Sequence, residues 1–299
     1  MPLICPPLEA TPLAQSNQTG GRLTVVDALR GIAALLVCWF HITNGYPGYP
    51  SGWLRRSGAE GHLGVSIFFV ISGFVIPYAL HAARYQPGDY GRFLVRRMIR
   101  IDAPCYATSL LIVALTALFG ASWGETRLKD ITLLQTVLHL GYLNYIAGEE
   151  FFCGVFWSLA IEFQYYLMIG LLLPLLCAPD RRQRLFPYAF LGVMAVIADS
   201  RQLLFHYGFL FLLGILTFHR RSGAVSWRGY LLALPLLAAG VVYTRGPAEA
   251  IAATATALCI AAARTTWPAL PPPLLWLGSL SYSLYLIHPP VGMRLVALG

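Results

Sequence analysis

Apolar runs separated by short polar turns fill almost the whole chain. A helix that crosses a bilayer needs about 20 mostly apolar residues. Nine stretches fit that pattern, at roughly 24–43, 62–80, 103–121, 155–177, 185–198, 203–218, 230–243, 248–263 and 275–298. They predict an all-α fold, a polytopic transmembrane bundle of about nine or ten spanning helices. A tenth stretch, 131–147, is apolar but interrupted by Gln135, His139 and Asn144. No internal repeat is visible, which gives no support to an inverted-repeat transporter architecture. Residues 24–299 are therefore expected to form a single transmembrane domain. Residues 1–23 are expected to be a polar, disordered N-terminus, since the first 22 lack the apolar core of a signal peptide.

Composition narrows the class. The 299 residues are 57% hydrophobic and 11% charged, with a mean hydropathy of +0.63. A soluble domain carries about 25% charged residues, so a water-soluble globule is excluded, and so is a disordered chain. The net charge of +8 comes from 21 Lys and Arg against 13 Asp and Glu. Lys129 is the only lysine. A nucleic-acid binder shares the positive charge but not the apolar content. Arginine instead serves to orient membrane helices and to grip phosphate. The six cysteines contain no C-x-x-C pair and mostly lie in apolar runs, so no metal site is expected.

The positive residues also give an orientation. With the N-terminus cytoplasmic and 131–147 not crossing, 13 loop Arg and Lys fall inside and 7 outside. If 131–147 crosses, the split becomes 9 inside and 11 outside. The first arrangement is preferred, so 131–147 is expected to be a re-entrant or outer-surface helix. The sequon at Asn17 then faces the cytoplasm and is not a glycosylation site.

Charged and polar groups within spanning helices are costly and mark function. The first helix carries Asp27, Arg30 and His41. Arg30 and His41 are 11 residues apart, close to three turns, and share a face with Ala34 and Val37. Glu162 is expected to enter from the outer side to a depth similar to His41, and a buried carboxylate needs a partner. The imidazole is the partner expected. Ser281, Tyr285 and His288 follow i, i+4, i+7 spacing on the last helix. Arg92, Arg96, Arg97 and Arg100 form the densest cationic stretch. Such a cluster suits a polyphosphate ligand or anionic lipid equally well.

These pieces together resemble the acyltransferase-3 family of integral membrane acyltransferases, which includes O-acetyltransferases of bacterial surface glycans. The resemblance rests on Asp27-Ala28-Leu29-Arg30-Gly31 running to His41, and on Gly64 to Phe74. It rests equally on Arg96-Arg97-Met98-Ile99-Arg100-Ile101, on Phe156-Trp157-Ser158-Leu159-Ala160-Ile161-Glu162, and on Leu280 to His288. It spans about 27 to 299. Two positions depart from the family pattern: Pro104 follows the arginine run only after Asp102 and Ala103, and Tyr165-Tyr166 follows Glu162 where Phe-Tyr is common.

The resemblance implies an acyl-CoA donor, most simply acetyl-CoA, and a hydroxyl acceptor on an extracytoplasmic or membrane-linked carbohydrate. It implies a multi-pass protein of a bacterial cell membrane. Arg96, Arg97 and Arg100 are then expected to hold the CoA phosphates and Arg30 to lie along the path of the pantetheine arm. His41 is expected to act as general base or acyl carrier, with Glu162 beside it. Ser72, Tyr285 or His288 would face the oxyanion. The chain continues only eleven residues past His288, so the chemistry is expected within the membrane domain. A transporter of lipid-linked sugars, with His and Glu as a proton relay, is the competing reading.

Overall fold

The structure is a computed structural model that describes residues 23–45, 51–121, 125, 127, 130–198, 200–263 and 270–295. The expected disordered N-terminal tail lies outside these residues up to position 22, as does the predicted last helix beyond 295. Helices account for the fold, and no strand occurs among the described residues. The reason is physical: in hydrocarbon a backbone must satisfy its own polar groups, and a helix does so within one segment.

In chain order the helices are α1 (Thr24–Asn44), α2 (Trp53–Gly58), α3 (Leu63–Ala82), α4 (Tyr90–Phe119), α5 (Leu133–Leu140) and α6 (Trp157–Leu176). They continue with α7 (Arg181–Ile197), α8 (Gly208–Arg221), α9 (Trp227–Arg245), α10 (Pro247–Ala262) and α11 (Pro272–Ile287). A π-helical turn, His288–Met293, extends α11. Each of the nine predicted apolar stretches is helical. Five helical stretches are long and apolar enough to cross a membrane: Thr24–Asn44, Trp53–Ala82, Pro87–Phe119, Gly154–Leu176 and Trp227–Arg245. The others are shorter, at 17 residues for α7, 14 for α8 and 16 each for α10 and α11. Large apolar side chains such as Leu110, Leu118, Leu232 and Leu236 are exposed, as expected of lipid-facing positions. The protein is a multi-pass membrane protein.

The stretch 131–147 does not form a spanning helix. Its helix α5 has eight residues, a rise of about 12 Å against a hydrocarbon core of about 30 Å. The Asn144 amide then donates to the carbonyls of Gln135 (3.1 Å) and Glu150 (3.0 Å), folding the segment back on itself. The arginine stretch forms the first three turns of the 30-residue α4, continuous with its apolar part.

Small residues set the helix register. A Cβ on Gly278 would collide with the Asp27 carbonyl, and one on Gly31 would lie 3.0 Å from the Gly278 nitrogen, so α1 and α11 pack backbone to backbone. Gly73 and Gly214 play the same part between α3 and α8. Helix α3 runs antiparallel to α1: Gly64 abuts the carbonyl of Ala33, and Gly61 that of Leu36. That register decides which side chains meet. Helix α4 and the connection before it are fixed to α6 by the Tyr90 and Tyr85 hydroxyls, which donate to the carbonyls of Leu167 (3.0 Å) and Gly170 (2.9 Å) respectively. Helix α4 is tied to α11 by Tyr282, whose hydroxyl donates to the Ile101 carbonyl (2.7 Å).

Candidate active site

Between α1, α3, α4, α6 and α11 lies a cavity of about 310 Å³. Along α3 it runs from Val65 to Ile76, eleven residues, or about 16 Å of helix rise. One end holds Arg30, Arg97 and Arg100; the other holds Ser158 and Tyr285; Ser72, Glu162 and Tyr166 line its wall.

The arginine end is built by local periodicity. Arg97 and Arg100 are one turn apart on α4 and reach the cavity, while Arg92 and Arg96 are exposed. Arg96, expected as a phosphate ligand, is not among the lining residues. The 100° step of the helix turns it away from its neighbour Arg97. Arg97 stacks on Tyr166 (5.6 Å to the ring centroid) and on Phe93 (5.8 Å), contacts that hold a guanidinium in place. Arg30 enters from α1, and its Nε is buried without a hydrogen-bond partner. An orphaned cationic donor beside a cavity is costly in the protein alone and fits an anionic ligand.

Glu162 occupies the cavity wall. It accepts hydrogen bonds from the Tyr166 hydroxyl (2.6 Å) and the Ser72 hydroxyl (3.1 Å). The expected pairing with His41 is not what the structure has. The physical reason is register: Gly64 lies level with Ala33, so Ser72, eight residues further along α3, lies about 12 Å toward the arginine end. Glu162 follows Ser72 there, away from His41, which sits three residues from the end of α1. Tyr166 is the functional side chain that the sequence reading missed, although its i+4 spacing from Glu162 was the signal for it.

The partner of His41 is His288, from the π-helical turn. His41 Nδ1 lies 2.9 Å from the Val37 carbonyl and 3.2 Å from His288 Nε2. His288 Nδ1 lies 3.3 Å from the Leu284 carbonyl. Carbonyls only accept, so each Nδ1 carries a proton. His41 then donates from Nδ1 to Val37 and toward the bare Nε2 of His288, which leaves Nε2 of His41 with a free lone pair. The arrangement can take a proton at His41 Nε2 while His288 accepts from the opposite side of the ring.

The histidine pair does not itself line the cavity; Tyr285 stands between. Its ring is 5.8 Å from that of His288 and 5.9 Å from that of Phe68. Its hydroxyl lies 2.6 Å from the Ser158 hydroxyl and 3.0 Å from the Val155 carbonyl. Ser281, Tyr285 and His288 thus share one face, and the first two reach the cavity. His139, by contrast, is enclosed by Phe151, Phe152 and Phe156. Burial pushes its pKa down to about 4, so it stays neutral above that pH and does not compete as a titrating base.

Comparison with known proteins agrees with the geometry. The model of the acyltransferase-3 family, described as an acyltransferase domain, matches residues 23–293. A Komagataeibacter xylinus protein named as a membrane-bound transacylase, BcsY, is 32% identical over 165 residues, which cover 50% of this chain and 38% of BcsY. The O-acetyltransferase OatA of Staphylococcus aureus is 26% identical over 188 residues, 58% of this chain and 29% of OatA. The chain therefore matches well under half the length of these relatives. No solved structure matches it. With a match that spans the helices, the cavity and both histidines, the chain belongs to the acyltransferase-3 family.

Proposed function

We propose that the protein is a membrane O-acyltransferase that moves an acyl group, most simply acetyl, from cytoplasmic acyl-CoA to a hydroxyl of an extracytoplasmic or membrane-linked carbohydrate. One observation carries this reading: one cavity has an arginine cluster at one end and a tyrosine beside a histidine pair at the other. CoA is a polyphosphate with a long, thin arm ending in a thioester. Its phosphates meet Arg97 and Arg100, with Arg30 beside the arm, and the thioester reaches Tyr285 and Ser158. At about 310 Å³ the cavity lies at the low end of ligand pockets, roughly 300–1,000 Å³. That volume accommodates the slender arm of the donor and its acyl end.

In the reaction His41 Nε2 takes the proton of the acceptor hydroxyl as its oxygen bonds to the thioester carbon. His288 accepts from the imidazolium at Nδ1, the place a carboxylate fills in a hydrolytic triad. Tyr285, turning its hydroxyl from Val155, donates to the oxyanion. The C–S bond then breaks, CoA leaves as thiolate, and the imidazolium returns the proton to sulfur. The products are the O-acyl ester and free CoA. The test is release of CoA from acetyl-CoA by the purified protein in lipid nanodiscs, with alkyl glycosides and short oligosaccharides supplied as hydroxyl acceptors. The transferase reading requires release, and the transporter reading requires none.

Glu162 here positions the donor. Glu162→Ala removes the acceptor of the Tyr166 hydroxyl, on whose ring Arg97 rests. One hydrogen bond to a charged group contributes about 1.5–3 kcal/mol. The expected result is a KM for acetyl-CoA raised roughly tenfold or more, with kcat little changed. A fall in kcat at constant KM would instead place Glu162 with His41.

The orientation follows the arginine count, with the N-terminus cytoplasmic. In a chain freed of other reactive cysteines, Ser222→Cys is labelled only from the cytoplasm and Ala248→Cys only from outside. The reverse pattern would invert the bundle.

A further inference from the structure

His288 lies in the π-helical turn His288–Met293, a rare local structure found mostly at functional sites. The turn carries Pro289 and Pro290, which have no N–H to donate, so its backbone holds itself weakly. Immediately after it comes Arg294. Its Nη1 donates to Glu125 Oε1 and its Nη2 to Glu125 Oε2, both at 2.7 Å. This two-pronged ion pair is buried, with the Glu125 side chain 0% and the Arg294 side chain 14% exposed.

The same guanidinium reaches three more partners. Nη1 donates to the Pro290 carbonyl inside the turn (2.7 Å), and Nη2 to the Gly120 carbonyl (3.1 Å) and the Thr116 hydroxyl (3.2 Å) at the end of α4. Glu125 is in turn bridged through its backbone to Cys153. Cys153 lies two residues before Val155, whose carbonyl accepts from Tyr285. On its other side the turn touches α1: the Met293 methyl lies 3.1 Å from the position of a Cβ on Gly45, four residues past His41.

A buried ion pair is a poor source of stability, because desolvation offsets most of the attraction. What it supplies is one fixed geometry. We propose that the Arg294–Glu125 pair is a positioning device that holds the π-helical turn so that His288 Nε2 stays within reach of His41 Nδ1. The proposal rests on the reading of the histidine pair as the reacting centre. Neither Arg294 nor Glu125 lines the cavity, so they act through His288 and not on the donor.

The test uses the full chain in lipid nanodiscs, with CoA release from acetyl-CoA in the presence of an alkyl glycoside acceptor, acetyl-CoA affinity and thermal stability all measured. Arg294→Lys keeps the charge and loses the fork. Its expected kcat is roughly 10- to 100-fold lower, the scale of an ångström-sized misplacement, with KM unchanged. The double variant Glu125→Leu with Arg294→Met leaves no unpaired charge and is expected to melt near the parent temperature, yet to lose kcat to a similar extent. In a His288→Ala background, Arg294→Lys is expected to cost nothing further. Parental kcat in the stable double variant, or an Arg294→Lys loss that persists without His288, overturns the proposal. Parental turnover in His288→Ala alone contradicts the histidine reading itself, which separates the two failures.

Discussion

His41→Ala is expected to abolish CoA release while acetyl-CoA binds with parental affinity. The geometry separates the two functions: Arg30 and His41 are eleven residues apart on α1, a rise of about 16 Å. The histidine is too far from the arginine end to touch phosphate. A positioned general base contributes about 10²–10⁴-fold. His288→Ala is expected to slow turnover less, because it removes the acceptor behind the base and leaves His41 bonded to Val37. Stopped-flow detection of free CoA, beside equilibrium binding of acetyl-CoA, checks both. A His41→Ala protein that turns over normally would remove the histidine pair from the mechanism.

The second large effect belongs to the donor end. Arg97→Ala with Arg100→Ala removes two of the three cations that line the cavity. Charged hydrogen bonds contribute about 1.5–3 kcal/mol each. Arg100 is exposed and screened, so the low end applies and the combined loss is about 3 kcal/mol, or roughly 100-fold in Kd. The paired control is Arg92→Ala with Arg96→Ala, on the exposed face of α4, which is expected to leave affinity unchanged. Equal effects from both double variants would make the stretch a lipid anchor only.

The helices were legible in the sequence because hydrocarbon leaves the backbone little choice, and apolar runs such as 24–43 and 155–177 report that directly. Within one helix, spacing also carried over: Ser281, Tyr285 and His288 do share a face. Contacts between helices were less legible. Depth along each helix placed Glu162 and His41 at one level, but backbone approach at Gly61 and Gly64 sets a register that separates them. The His41–His288 contact joins residues 247 positions apart, and it depends on a π-helical turn that no apolar pattern announces. The run of arginines was legible, but which of them line the cavity was not: Arg97 and Arg100 do and Arg96 does not, and Arg97 also rests on Tyr166. The Arg294–Glu125 pair left no sequence signal: Glu125 lies between two apolar runs, and Arg294, near the end of the run 275–298, counts with the outer loop cations.

The position of a bound acyl-CoA distinguishes an acyl-transfer cavity from a lipid-filled one most directly. A cryo-electron microscopy structure of the chain in nanodiscs with a thioether analogue of acetyl-CoA measures this. The expected density has its phosphates at Arg97 and Arg100, its arm passing Ser72 and Glu162, and its acetyl end beside Tyr285 on the side of His41 and His288. Phosphates at the histidine end, or lipid filling the cavity while the analogue lies elsewhere, would contradict it.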